Sequence, residues 1–161
     1  AAEEQAEAVG DAQEEAIDTA EELFHRPPSE FAATFLGGAD ILPVQALETI
    51  SAGSIGTLDH GGLRLQARSR ETVARHKHLS LAVRPWAWEL CDTEPINGVE
   101  VEVIDLQWRG ATRHVRAEVV HTGQSIGVDV PVLATPPVPG RRLWAAVAPD
   151  DVHLVPAEKS A

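Results

Sequence analysis

Cysteine is nearly absent from this sequence, which removes several classes of small protein from consideration. Cys91 is the one cysteine among 161 residues, so no disulfide can form within the chain. A zinc site needs several ligands of the cysteine and histidine type, and a lone thiol disfavours a cysteine-based one. The cysteine content fits a reducing compartment.

Basic and aromatic residues are also scarce. The chain has 13 Lys and Arg against 25 Asp and Glu, with no tyrosine and only three phenylalanines. A sequence-independent grip on nucleic acid needs a basic face, and single strands also need stacking rings. We therefore expect no nucleic-acid partner.

Catalytic and membrane-spanning motifs are missing as well. No apolar run approaches the roughly 18 residues of a membrane span, and the acidic N-terminus is unlike a secretory leader. There is no phosphate-binding loop of the G-x-x-x-x-G-K-[ST] type, no G-x-S-x-G elbow and no H-E-x-x-H helix. The sequence predicts a protein that is not an enzyme and needs no cofactor.

The N-terminal quarter of the chain has a helical composition. Residues 1–24 hold nine acids and no base, and Ala and Glu are good helix formers. Pro27 and Pro28 end this helix, and Ser29 can cap a short second one that stops at Gly37-Gly38. We predict an acidic helical linker over 1–28 and a hinge helix over 29–40.

From Ile41 onward the pattern changes to short β-strands. Turn signals recur about every ten residues, as in a small barrel or sandwich. Asp59-His60-Gly61-Gly62 and Arg109-Gly110 predict hairpin turns, and the proline-rich run 131–140 predicts a loop. Two strand clusters, 41–84 and 97–155, flank an irregular segment and suggest a loose duplication. The predicted strands are 41–50, 54–58, 62–68, 79–84, 99–107, 112–121, 124–130 and 142–148.

Few residues in this pattern offer chemistry. His76 and His78 could share a strand face as metal ligands, but no third ligand is identifiable, so we expect no metal site. The local basic cluster around Arg64 could bind an anion, although a solvated strand edge is the favoured interpretation. Trp86 and Trp88 could plug a barrel end or form an aromatic ledge for a partner.

Four segments in order resemble the accessory domain of ABC-importer ATPases. Residues 22–43 read ELFHRPPSEFAATFLGGADILP, similar to the segment that joins the ATPase domain to its accessory domain. The others are LAVRP at 81–85, NGVEVEVID at 97–105 and PGRRLWAAVAPDDVHLV at 139–155. The sequence departs from the family pattern at Asp40, where asparagine is usual, at Trp86, where glutamate is common, and at 107–110.

The resemblance implies a TOBE-type domain of the polyamine, ferric-iron and sugar importer kind. The implied fold is mainly β, with small OB-like β-barrels over 41–156 and a tail at 157–161. The implied function is non-catalytic regulation and dimerisation of the ATP-binding subunit, with a homodimer, an ABC ATPase domain and membrane permease subunits as partners. Its implied location is cytoplasmic, peripheral to the inner membrane. The expected partner contacts are Phe31, Phe35, Trp86, Trp88 and Trp144.

An alternative is a stand-alone module that binds a small oxyanion. Backbone amides in a glycine turn can cradle an anion, and a guanidinium can complete the site. The residues expected to do this are Gly61, Gly62, Arg64 and Arg84.

Overall fold

The computed structural model describes residues 38–157, and ten β-strands in two sheets account for most of them. The predicted helix 1–28 and nearly all of the hinge 29–40, including Phe31 and Phe35, lie outside the described residues. The strands are β1 (Asp40–Ala46), β2 (Ile55–His60), β3 (Leu63–Arg68), β4 (His78–Val83), β5 (Glu89–Cys91), β6 (Gly98–Arg109), β7 (Thr112–Val119), β8 (Ser125–Pro131), β9 (Arg142–Ala146) and β10 (Val152–Pro156).

The predicted fold class is confirmed, because the described chain is mainly β with curled, OB-like sheets. Its helical content is a single 3-10 turn, Pro149–Asp151. Between Gly38 and Ala157, no helix has the length and apolar content that crossing a bilayer requires.

Each of the eight predicted strands has a counterpart, with differences at the ends. The prediction of a strand over 41–50 was too long, since β1 ends at Ala46 and Ile50 forms only an isolated bridge to Val73. The strands β5 and β10 were not predicted as separate elements. Both are short and pair with strands far away in the sequence, so local alternation gives them no clear signal.

The glycine hairpin forms where the sequence predicted it, but Asp59 and His60 belong to β2, so the turn consists of Gly61 and Gly62. Gly61 and Gly62 have φ angles of 56° and 97°, and His60 pairs with Leu63 across the turn. A two-residue turn with two positive φ angles matches the twist of the flanking strands. The two-residue turn that joins β6 to β7 has one positive φ angle, 80° at Gly110.

Alternation along β6 places one face in the core. Val99, Val101 and Val103 are buried, whereas Glu100 and Glu102 are partly exposed between them. A bulge after Val103 then shifts the register against β7. The outer half of β6, beyond this bulge, extends into solvent.

The two sheets repeat one topology and exchange one strand. Their orders are β10-β4-β1-β2-β3 and β5-β9-β6-β7-β8. We call the first sheet lobe 1 and the second lobe 2. In lobe 1 the central strand β1 pairs with β2 and β4. In lobe 2 the central strand β6 pairs with β7 and β9 in the same arrangement, so each lobe has a first, second, third and fourth strand of its own. The outermost strand next to the fourth one comes from the other half of the chain, so β5 joins lobe 2 and β10 joins lobe 1.

The exchanged strands pair in the same register. Leu154 of β10 lies opposite Leu81 of β4, and Leu90 of β5 lies opposite Ala145 of β9. Leu90 and Leu154 each follow a proline by five residues, in the segments PWAWEL (85–90) and PDDVHL (149–154). This register shows that the loose duplication expected from the sequence is a structural repeat.

The start of each lobe covers the open edge of the other lobe. Asn97, directly before β6, accepts a hydrogen bond from the Gln66 amide of β3 at 2.8 Å and donates to the Gln66 carbonyl at 3.0 Å. It also donates to the carbonyl of Val147 at 2.9 Å. Asp40, the first residue of β1, accepts a hydrogen bond from the Gly127 amide of β8 at 2.7 Å. One continuous core runs through both lobes beneath these contacts.

We predict that Asn97→Ala destabilises the whole domain. The change removes the Asn97 side-chain amide, so the Gln66 amide, the Gln66 carbonyl and the Val147 carbonyl each lose a hydrogen-bond partner. We expect this loss to lower the unfolding free energy by on the order of 3 kcal/mol. Chemical denaturation measures this, with Gln107→Ala as a control because Gln107 is exposed and its side chain accepts hydrogen bonds from Arg109 two residues away. Equal stability of the two variants would contradict the assigned role of Asn97.

Candidate ligand-binding and partner surfaces

Arg84 is a buried cation at the end of β4. Its side chain is 6% exposed, and Pro85 directly after it cannot continue the strand's hydrogen bonding. The Nη1 of Arg84 lies 3.3 Å from Nε2 of His153. Because a guanidinium can only donate, His153 accepts at Nε2 in this contact. Burial lowers the pKa of the Arg84 guanidinium from its usual value.

A surface cleft of about 330 Å³ opens beside Arg84. The Arg84 guanidinium carbon lies 5.8 Å from the ring centre of Trp86, within cation–π range. Asp150, also at the cleft, is bonded to Arg68 of β3. Acidic and basic groups therefore share this cleft, and a bound anion would meet carboxylates as well as the guanidinium. The lining residues are Arg84, Trp86, Ala87, Asp150, Asp151 and His153.

The other predicted anion ligands lie at the opposite end of lobe 1. Arg64 is exposed on β3 and pairs with Asp59, while the Gly62 amide donates to the Asp59 carboxylate at 3.2 Å. Asp59 in turn pairs with Gln45 near the end of β1, whereas Val83, next to Arg84, pairs with the first residue of β1. At about 3.3 Å per residue the two ends are roughly 16 Å apart. Arg64, Gly61 and Gly62 therefore do not join Arg84 in one site.

The glycine hairpin contacts the turn after β7. A Cβ on Gly61 would lie 2.5 Å from the Thr122 methyl group, so the two turns pack closely. His60 is buried, with Nδ1 2.8 Å from the Pro43 carbonyl and Nε2 3.0 Å from the Thr122 hydroxyl. The carbonyl can only accept, so Nδ1 donates to Pro43, and Nε2 shares its hydrogen bond with the Thr122 hydroxyl. His60 thus joins the two lobes, although the sequence analysis placed it in a loop.

The predicted tryptophan contacts fall into different environments. Trp86 is 56% exposed, but Trp88 is 3% exposed and belongs to the core. Trp144 is partly exposed on the outer face of β9. Trp108, which the sequence analysis did not select, is 72% exposed near the tip of the β6–β7 hairpin. Leu133 and Val138 in the proline-rich loop are also exposed.

His76 and His78, the histidines considered as metal ligands, are not part of a metal-binding cluster in the described residues. His76 has a φ angle of 71°, which places it in a tight turn before β4. Among residues 38–157, no group of three or more histidine, cysteine or acidic side chains is arranged to hold an ion.

A titratable cluster that the sequence analysis missed surrounds Asp40. Burial raises the pKa of Asp40 to about 6, although the Gly127 amide, the Trp88 indole and His114 favour its ionised form. Nδ1 of His114 lies 2.8 Å from an Asp129 carboxylate oxygen. The two residues are direct partners across β7 and β8, so only the strand register could have revealed the pair.

The two neighbouring tryptophans should respond differently to truncation. We predict that Trp88→Ala lowers the unfolding free energy by about 3–5 kcal/mol, because it leaves a large cavity in the core. The matched change Trp86→Ala should cost about 1 kcal/mol or less, since that ring is mostly in solvent. Urea titration of both variants provides the measurement, and a larger loss for Trp86→Ala would overturn these assignments.

Comparison with known proteins supplies both a relative and a fold neighbour. No family model matches the chain. It is 28% identical over 134 residues to the putative 2-aminoethylphosphonate import ATP-binding protein PhnT of Salmonella typhimurium, Salmonella paratyphi A and Salmonella typhi. The match includes 83% of this chain and 36% of each relative, so the chain spans about a third of their length.

The fold neighbour is the cytoplasmic molybdate-binding protein ModG, in a structure with molybdate bound. The two align with a TM-score of 0.62 at 17% identity, over 73% of this chain and 96% of ModG. At that identity the match concerns the fold alone. Together with the PhnT similarity, the two exchanged OB-like lobes support a TOBE-like domain that is similar to the C-terminal part of an ABC-importer ATP-binding subunit.

Proposed function

We propose that this chain is a non-catalytic regulatory and dimerisation domain of an ABC-importer ATP-binding subunit, and that it modulates ATP-driven solute uptake. The observation that carries the proposal is the similarity over 134 residues to part of an import ATP-binding protein. The sequence also lacks the phosphate-binding loop that such a subunit needs for ATP. ATP hydrolysis would then belong to the ATPase domain that this domain serves.

In the proposed assembly the domain forms a homodimer and contacts the ATPase domain. Through it, the domain would join permease subunits on the cytoplasmic side of the inner membrane. Trp86, Trp108 and Trp144 are the described aromatic side chains that offer surface to a partner, and large aromatics commonly anchor protein interfaces. Phe31 and Phe35 remain proposed contacts within the hinge 29–40.

The domain layout belongs to the same proposal. Residues 1–28 would act as an acidic linker and residues 29–40 as the hinge to a partner domain. Residues 41–156 would form the barrel module, and 157–161 the tail. The described lobes fit the barrel part of this layout, since β1 begins at Asp40 and β10 ends at Pro156.

A second candidate function is binding of a small oxyanion. The observation that favours it is the fold match to nearly the full length of ModG, a molybdate-binding protein. In this chain Arg84 would supply the charge, because its guanidinium borders a cleft large enough for such an ion. Arg64, Gly61 and Gly62 would act at a separate place on lobe 1.

Light scattering on the purified chain tests dimerisation. We predict that the mass approaches twice 17.3 kDa as the concentration rises, because exposed aromatic surface becomes buried between copies. Trp108→Ser should weaken this association, whereas Ile96→Ser, which removes a fully exposed aliphatic side chain, serves as the control. A strict monomer at millimolar concentration would count against the dimer.

A thermal-shift screen tests the oxyanion function. Molybdate, sulfate, phosphate and sugars are the probes, and a ligand at 100 times its dissociation constant stabilises by about 2.7 kcal/mol, enough to raise Tm by several degrees. We expect any oxyanion shift to be lost in Arg84→Gln and kept in Arg64→Gln. If no anion shifts Tm, the oxyanion function is refuted and the accessory role is unaffected.

A further inference from the structure

Asp40 and Asn97 occupy the same place in the two lobes. Asp40 begins β1 and pairs with Val83 at the end of β4. Asn97 stands directly before β6, and its carbonyl accepts the amide of Val147 just after β9. Each residue therefore lies where the first and fourth strands of its own lobe meet.

Their hydrogen-bond partners also correspond. Asn97 bonds to the backbone of Gln66, in the edge strand β3 of lobe 1, and Asp40 bonds to the backbone of Gly127, in the edge strand β8 of lobe 2. Gln66 follows the buried Leu65, and Gly127 follows the buried Ile126. The repeat thus assigns the two side chains one task, which is to bond the open edge of the opposite lobe.

The chemistry of the two side chains differs in one respect. An amide both accepts and donates, and Asn97 does both with Gln66, whereas a carboxylate can only accept. The N–H and C=O of one strand residue point to the same side of the strand. The Gly127 carbonyl consequently points to the side from which Asp40 accepts the Gly127 amide. An ionised Asp40 has no proton to offer that carbonyl, but a protonated Asp40 has one.

We propose that Asp40 is a pH-sensitive clasp between the lobes. When protonated, its carboxyl group donates to the Gly127 carbonyl and completes the two-way contact that Asn97 makes with Gln66. When ionised, it keeps the contact with the Gly127 amide, has no hydrogen bond to offer the Gly127 carbonyl and places a charge between the lobes.

The surroundings of Asp40 favour this titration. Its pKa is raised to about 6 by burial, against an ordinary value of 3.8. His114 of β7 and Asp129 of β8 are the charged groups that act on it, in opposite directions, and the Trp88 indole favours ionisation. At the paired position β4 presents the apolar Val83. The His114 ring packs closely on Gly127, the residue that Asp40 contacts, since a Cβ on Gly127 would lie 2.4 Å from this ring.

The sign of the pH dependence follows from the raised pKa. The folded chain holds the Asp40 proton more tightly than the unfolded chain, so protonation stabilises the fold. This stabilisation is complete below about pH 4 and is lost as the pH rises through about 6. The contact between the lobes is therefore stronger in mild acid than at neutral pH.

The variant Asp40→Asn tests the proposal by making the second hydrogen bond permanent. We expect Asp40→Asn to be more stable than the wild type at pH 7.5. The unfolding constant of the wild type, divided by that of the variant, should fall about tenfold from pH 7.5 to pH 5. This factor follows from the linkage of a single group with folded and unfolded pKa values of about 6 and 3.8. A ratio that does not change with pH, or lower stability of the variant at both pH values, would overturn the proposal.

The reciprocal variant Asn97→Asp is the matched control. It places a carboxyl group at the equivalent contact on lobe 1, so it should be destabilised at pH 7.5 and recover towards pH 5. Failure to fold at pH 7.5 with folding at pH 5 would support the clasp. Equal destabilisation at both pH values would contradict it.

Two further measurements separate Asp40 from its neighbours. Carbon-13 NMR of the Asp40 carboxyl group should give a midpoint near 6, and a midpoint near 3.8 would refute the proposal. Repeating the Asp40→Asn comparison in a His114→Gln background removes the nearby histidine. Persistence of the pH-dependent ratio supports Asp40 as the titrating group, and its disappearance would assign the effect to His114.

Discussion

The structure depends on satisfying the backbone at the open edges of two small sheets. An antiparallel sheet of this size leaves unpaired amides and carbonyls along its outer strands, and such edges invite pairing with other chains. Here β5 and β10 are exchanged between the lobes, and Asn97 and Asp40 bond the remaining edges at β3 and β8. Each lobe thus completes the other, and a single core runs beneath both.

This dependence between the lobes explains which parts of the fold were predictable from sequence. The alternation along β6, the Gly61-Gly62 turn and the proline-rich loop are local signals, and all three correspond to the structure. The exchanged strands were missed because each is defined by a partner from the other half of the chain. The pair of His114 with Asp129 was missed for a related reason, since it exists only in the register of β7 against β8.

The candidate site shows the same limit at the level of side chains. Trp86 and Trp88 would share a face if the segment were a strand, but residues 85–87 form a turn, and one ring enters the core while the other remains in solvent. Arg84 and Gly61 are both in lobe 1, yet the pairing register of β2 and β4 against β1 places them beside opposite ends of β1. The residue types of a candidate site can be read from the sequence, whereas the sheet geometry determines which of these residues lie close together.

Charge at the contact between the lobes bears on the two candidate functions. The carboxyl groups of Asp40 and Asp129 act on each other at β8, the edge strand of lobe 2, whereas the equivalent place on lobe 1 holds the neutral Asn97. An oxyanion near the first place would meet electrostatic repulsion in a poorly solvated setting, where such repulsion is strongest. Because one fold can serve several functions, the side chains must decide between them. The acidic contact therefore disfavours an anion at this place, and the oxyanion candidate stays with the separate cleft beside Arg84.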